Sequence, residues 1–378
     1  MSAVPDKELK LEKRILITGG PVHAYLDAVK LVTNKFKGGL MAQLAYDFAE
    51  GFECSVTYLC AKGLTKPKQH PRLTVLEHDG FHDYREQVSE LAKTHTDVIL
   101  GAAVANLIPA NPWKGKFPSH DYQPGDIVKV DFMVAPRIIE DVKKAAPHVN
   151  LFGFKLLSGV PHEELVRAAY GIVQEAHATA VIANDATNLQ QKFIVTKERA
   201  VHPVGNDDLA SYLWLLMSDE YYRTEVAPAV GLTAEEGVFR SLVGHWSSHM
   251  PELFTEVEGG LLFGTIAMRS NQGGFWTTAR GKKELDGAVH VTEVDHDKRV
   301  VHTVGAKATL NAPLLDLIFW ANPDVATIIH SHDQVIGLPT HPYAPPGSVR
   351  DTRRDITESF NIEEHGAFLL FDTAGNQL

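Results

Sequence analysis

The stretch Arg14–Leu40 reads "RILITGGPVHAYLDAVKLVTNKFKGGL". It opens with a short apolar run, "RILITGG", that ends on Gly19 and Gly20. The next long segment, "GLMAQLAYDFAEGF" from Gly39, carries apolar residues at helical spacing and reaches Gly51, a candidate C-cap. A strand closed by glycines and followed by a helix can hold an anion on backbone N–H groups at the helix start. The glycines lack the G-x-G-x-x-G spacing of a dinucleotide fingerprint. A second turn, "NKFKGG", sets Lys35 and Lys37 before Gly38 and Gly39. It reads either as an anion site or as a solvated lysine-bearing loop.

Outward from this stretch, strand and helix signals alternate as in a parallel sheet covered on both faces. "CSVTYLC", "DVILGAAVA", "NLFGFKLL" and "TAVIAND" read as strands. "DYREQVSELAKTH", "APRIIEDVKKAA", "HEELVRAAYGIVQEAH" and "DDLASYLWLLMSDEYY" read as helices, the last with Asn206 as candidate N-cap. The pattern restarts around Arg223–Glu236, which places two domains at 1–225 and 226–378. The second begins with helical "EEGVFRSLVGHWSSHMPELF" and passes through strand-rich "GGLLFGTIAMRSNQGGFWTTARG". "GAVHVTEVDHDKRVVHT" reads as a hairpin, and helical "APLLDLIFWAN" leads into "VATIIHSHDQ".

The chain has 378 residues, more than one hydrophobic core usually serves, in keeping with that division. A net charge of −11 argues against wholesale binding to nucleic acid or an anionic membrane. The two cysteines, Cys54 and Cys60, share one strand and are poorly placed to bridge each other, so nothing points to an oxidising compartment. The N-terminal "MSAVPDKELKLEKR" has no apolar targeting core, and the expectation is a cytoplasmic chain acting on small molecules.

In "VATIIHSHDQ", His330 and His332 alternate within a strand and so share a face, about 7 Å apart along the backbone. Two imidazoles on one face suit one metal ion, but equally a polar pair at a strand end. "HWSSHM" places His245 and His249 at metal-like i, i+4 spacing, yet without the glutamate of H-E-x-x-H it reads as a surface pair.

Taken together, "LITGGPVHAYLDAVKLVTN", "GAAVAN", "GKFPS", "FGFKLL" and "IAND" resemble the phosphopantothenoylcysteine synthetases in order and spacing, over about Lys13–Tyr222. The resemblance implies a Rossmann-like α/β domain that activates a carboxylate with CTP or ATP and magnesium, then couples it to an amine. It implies that Asn34 and Lys116 are catalytic, with Lys114 a rival for the lysine. It also places Gly19, Ala103, Phe154 and Asn184 at the nucleotide pocket, and Gly20, Lys37, Gly38 and Asn106 are further nucleotide-binding candidates. A lysine can neutralise developing pyrophosphate charge, and an asparagine amide can hold an acyl oxygen without reacting with it. The chain departs from this family at Val22, His23 and Ala24, at Phe36 and Lys37, at Asn106, at "VAPR" (Val134–Arg137) and at Leu157 and Ser158.

"NPDVATIIHSH" and the later "EEHGAF" resemble the class II aldolase/adducin family from about Gly237 onward. That resemblance implies an α/β/α aldolase-like domain in which His330, His332 and His365 bind a divalent metal, zinc foremost. By family spacing Asn311 stands in place of a glutamate, and a neutral amide cannot abstract a proton as a carboxylate can. "GTIA" and "ARG" replace the family's phosphate-binding motifs. The reading is therefore a ligase fused to a metal-binding aldolase-like domain, with a homo-oligomer implied by both families. A metal-dependent lyase or epimerase is the first alternative, and a non-catalytic binding module the second.

Overall fold

The computed structural model describes residues 13–229, 233–285 and 287–378. Most of the N-terminal stretch read as lacking a targeting core, and part of the expected boundary loop, lie outside the described residues. The chain divides into two compact units, Met1–Met217 and Ser218–Leu378. The expected division between 225 and 226 falls later than this. The reason is that Arg223–Ala227, read as part of the boundary, is a strand paired in parallel with Val300–Val304 and so belongs to the second unit.

The first unit is built on an eight-stranded sheet. Its elements are β1 (Lys13–Gly19), α1 (Gly39–Gly51), β2 (Cys54–Ala61), β3 (Leu73–His78), α2 (Gly80–Ala92), β4 (Asp97–Leu100), α3 (Ile138–Ala145), β5 (Asn150–Leu157), α4 (His162–Ala176), β6 (Ala180–Asp185), β7 (Asn188–Thr196), β8 (Val201–Gly205) and α5 (Leu209–Ser218). The strand order is β8-β7-β6-β5-β4-β1-β2-β3, parallel from β6 to β3, with β7 antiparallel to both of its neighbours. The order reverses between β1 and β4, which opens a crevice beyond their C-terminal ends.

Both faces of this sheet are covered, which explains the unbroken apolar strands. Ile15 and Ile17 of β1 join Phe48 of α1 and Leu213 of α5 in one core. Thr18, on the opposite face, accepts a hydrogen bond from Tyr84 of α2 at 3.0 Å. Full burial of a side chain such as Phe48 stabilises the unit by roughly 1.5–3 kcal/mol. Two local expectations are corrected. Gly51 is the last helical residue, and extended Phe52 caps α1. Asn206 is not the cap of α5, which starts at Leu209; its amide instead joins Lys192 and Gln190. Cys54 and Cys60 are free and buried.

The second unit carries a nine-stranded sheet. Its elements are β9 (Arg223–Ala227), α6 (Ala234–His249), β10 (Thr265–Arg269), β11 (Phe275–Thr278), β12 (Ala288–Asp295), β13 (Val300–Val304), α7 (Ala312–Ala321), β14 (Thr327–Ser331), β15 (Thr340–His341), β16 (Phe360–Ile362) and β17 (Gly366–Phe371). The order is β9-β13-β12-β11-β10-β14-β17-β16-β15, antiparallel except at its two edge pairs. Alternation along β10 decides the layering. Ala267 packs in the core that holds α7, whereas Ile266 and Met268 pack with Phe239 and Val243 of α6. One helix therefore covers each face, the expected α/β/α arrangement. Among the described residues no helix is long and apolar enough to cross a membrane.

Candidate functional sites

In the first unit the crevice is made largely of backbone. Gly38 precedes α1 with φ +84°, a conformation that L side chains rarely adopt, and a Cβ there would lie 2.6 Å from Gly20. A Cβ on Gly19 would lie 2.2 Å from the Tyr58 hydroxyl. Glycines at these positions let the first turn of α1 sit directly over the end of β1. The helix N-terminus, with its unsatisfied N–H groups, thus points into the switch-point crevice, where it suits a phosphate.

The other wall comes from the segment after β4. Ala103 N–H donates to the Gly20 carbonyl at 2.9 Å, and Val22 N–H donates to the Ala103 carbonyl at 3.1 Å. Asn34 closes the arrangement, its amide donating to the same Ala103 carbonyl at 2.9 Å. The structure thus brings together Gly19, Gly20, Gly38, Ala103 and Asn34, with exposed Lys37 beside them on the turn into α1.

Lys114 and Lys116 are both exposed on a loop bound to the hairpin Ala24–Tyr25/Leu31–Val32: Trp113 N–H donates to Leu26, and Ala28 N–H to Gly115, each at 3.0 Å. Asn106 is exposed, and its carbonyl accepts from Ala135 N–H at 2.8 Å. Phe154 and Asn184 lie on β5 and β6, farther along the sheet from β1. Asn184 is buried with its Oδ1 unpartnered, so an acceptor is available on that strand end.

The second unit's site is made of side chains. His330 lies in β14, opposite Thr265 of β10 and Phe368 of β17. His332 follows one residue beyond the strand end, half-buried, and His365 precedes β17 and is buried. Gly366 brings the two chain segments together: its φ is +107°, and a Cβ there would lie 2.0 Å from the Ser331 carbonyl and 2.5 Å from His332 Cα. No side chain fits that approach. Ring centroids stand 4.9 Å apart for His330–His332, 4.6 Å for His330–His365 and 5.0 Å for His332–His365. One candidate ligand nitrogen from each lies within 4.8 Å of the others.

The residues fit a divalent metal. His330 Nδ1–H donates to the Ala367 carbonyl at 3.0 Å, which leaves Nε2 as a lone-pair nitrogen. That Nε2 is buried with no hydrogen-bond partner. Burial, then the neighbouring His332 and the charge of Lys282, hold His330 well below the usual histidine range against the Ala367 bond. It is thus in the neutral form a metal needs.

Asn311 is buried, and its side-chain oxygen stands 3.5 Å from His365 Nε2, so the position read as a lost glutamate does face the cluster. Thr265 and Thr309 hydroxyls meet at 3.1 Å nearby. Sequence reading missed Lys282. Its Nζ donates to the Gly264 carbonyl at 2.6 Å, and burial pushes its ammonium down to about 8. The available signal was the "KK" directly after "ARG", a charge next to a segment that otherwise packs inward.

Comparisons with known proteins bear mainly on the first unit. The Coenzyme A biosynthesis bifunctional protein CoaBC of Thermococcus kodakarensis is 29% identical over 215 residues, covering 53% of this chain and 50% of that protein. Its counterpart in Methanocaldococcus jannaschii is 27% identical over 176 residues, covering 46% and 40%. The chain spans about half the length, or less, of these curated relatives. The crystal structure of the DNA/Pantothenate Metabolism Flavoprotein from Streptococcus pneumoniae aligns at 24% identity with a TM-score of 0.48, over 54% of this chain and 96% of that one. The family model described as DNA/pantothenate metabolism flavoprotein C-terminal domain matches residues 11–213, more than half of the chain. By that match the chain belongs to the family of the DNA/pantothenate metabolism flavoprotein C-terminal domain.

Proposed function

We propose that the first unit is a nucleotide-dependent carboxylate–amine ligase of the phosphopantothenate–cysteine ligase type, using CTP or ATP with magnesium. The observation that carries this reading is the cradle of Gly20, Gly38, Asn34 and Ala103 at the switch point of a parallel sheet. Family membership over residues 11–213 supports it. In the reaction, a substrate carboxylate oxygen bonds to the α-phosphorus as pyrophosphate leaves. The amine then attacks the acyl carbon and the nucleoside monophosphate departs. Lys116 is assigned to the charge developing on pyrophosphate and Asn34 to the acyl nucleotide. Replacement of family residues by Val22, His23, Ala24, Leu157 and Ser158 points to a changed carboxylate or amine partner.

The test is pyrophosphate release from CTP and ATP with magnesium, first with phosphopantothenate and cysteine, then with other carboxylates and amines. Nucleotide-dependent amide formation is expected. No turnover with any pair, together with no calorimetric nucleotide binding at millimolar concentration, would overturn the reading.

A second reading rests on the buried, unpartnered Nε2 of His330. On it, His330, His332 and His365 hold zinc, and the second unit is a metal-dependent lyase or epimerase domain. Such a metal would polarise a substrate carbonyl. Asn311 denies the site its usual base, and Asn311→Glu is expected to raise any cleavage activity on small carbonyl compounds. An unchanged rate would refute the lost-base argument.

A further inference from the structure

Lys116 and Asn34 lie far apart in sequence, and the proposed ligase reaction needs both at one acyl nucleotide. One buried side chain joins the segments that carry them. Asp27 is 2% exposed and lies in the turn of the hairpin Ala24–Tyr25/Leu31–Val32, which leads directly to Asn34. Its Oδ1 accepts the N–H of Val29 at 2.7 Å and of Lys30 at 2.6 Å, fixing the turn. Its Oδ2 accepts the N–H of Phe117 at 3.0 Å, the residue next to Lys116, and Lys30 Nζ at 3.2 Å.

Other contacts reinforce the strap. Ala28 N–H donates to the Gly115 carbonyl, so the backbone on both sides of Lys116 is tied to residues 27 and 28. Lys30 Nζ stands 5.6 Å from the Phe117 ring centroid, and Trp113 meets that ring edge-on at 5.0 Å. Four donors converge on a carboxylate that has only acceptors to offer them. The bonds to Lys30, Phe117 and Val29 hold the carboxyl far below the usual carboxylate range, so the strap stays charged over any working pH.

We propose that Asp27 is a positioning residue: its carboxylate registers the lysine loop against the Asn34 segment, so that Lys116 and Asn34 act on the same acyl nucleotide. This rests on the ligase reading of the first unit. A lysine displaced by about 1 Å can cost about a hundredfold in rate even with the group itself intact.

Asp27→Asn is near-isosteric but turns one acceptor oxygen into a donor, breaking one side of the strap. In the full-length protein, with CTP or ATP, phosphopantothenate and cysteine, it should lower kcat at least tenfold and change nucleotide KM less than threefold. Because Asp27 acts through Lys116, adding Asp27→Asn to Lys116→Ala should change kcat less than twofold. Exchange of the Phe117 amide, followed by NMR or mass spectrometry, should be at least tenfold faster in Asp27→Asn.

Retention of kcat within twofold in the single variant would overturn the proposal. So would full multiplication of the two losses, the signature of a general structural defect. If the native protein shows no ligase turnover, the ligase reading falls separately, and the exchange measurement decides the strap: unchanged Phe117 protection in Asp27→Asn refutes it.

Discussion

The two units build their sites from different materials. In the first, Gly20, Gly38, the Ala103 carbonyl and the start of α1 are backbone, and the side chain of Asn34 is tied into them. In the second, the three imidazoles and Asn311 bring side-chain polar atoms together, and the backbone brings the two segments close at Gly366. A backbone-built cradle survives replacement of surrounding side chains, because N–H groups are common to almost all residues. The first unit accordingly keeps its crevice although the chain departs from the family pattern at Val22, His23 and Ala24. A side-chain-built site changes character with a single substitution.

The sharpest break of this comparison is His330→Ala. Elemental analysis of untagged protein should find about one divalent metal per native chain and essentially none in the variant, since the deleted Nε2 has no backbone substitute. Equal metal content in the two proteins would refute the three-histidine assignment.

Lys116→Ala tests the part of the first site that the backbone does not supply. Loss of a cation acting on transition-state charge should lower ligase kcat by roughly 10²–10³, with nucleotide affinity measured by calorimetry changing much less. A variant with native kcat would transfer the role to Lys114.

Gly38→Ala attacks the cradle itself. A left-handed alanine costs about 1–2 kcal/mol, and forcing a methyl against Gly20 adds roughly 1–3 kcal/mol, so the first unit should lose about 2–5 kcal/mol in urea unfolding. The second unit's histidine cluster should be untouched, read as unchanged metal content. A loss below about 1 kcal/mol would mean that the glycine is not required.

The smallest effect is a pH slope. His78 is fully buried at the end of β3, and burial lowers it to about 4, against the opposing charge of Asp83. Above about pH 6.5 the ring is neutral in both folded and unfolded chains. Between about 6.5 and 4 only the unfolded chain takes up the proton, so stability falls with falling pH, by about 3 kcal/mol near pH 4. His78→Leu should remove that share of the acid sensitivity in unfolding measured from pH 7 to 4. An unchanged slope would assign the sensitivity elsewhere.

Much of the architecture was legible from side-chain periodicity. "NLFGFKLL" and the helix of "HEELVRAAYGIVQEAH" stand where their patterns placed them, because unbroken apolar runs and apolar stripes dictate which faces are buried. The domain limit was misplaced because Arg223–Ala227 is an edge strand with an exposed, charged sequence; what makes it a strand is pairing with Val300–Val304, 77 positions away. The Asn206 cap failed for a similar reason: its amide is taken up by Lys192 and Gln190 on a neighbouring strand.

Local sequence by itself determined the glycine-closed first strand, the lysine-bearing turn and the His-x-His pair, since short-range sterics and strand alternation act between near neighbours. Tertiary structure alone decided that Asn34 meets Ala103, that Asp27 holds the loop of Lys116, and that His365, Asn311 and Lys282 gather around His330 or its backbone. Those encounters join residues tens of positions apart, and their geometry is set by strand order and sheet packing, which no local pattern of residues encodes.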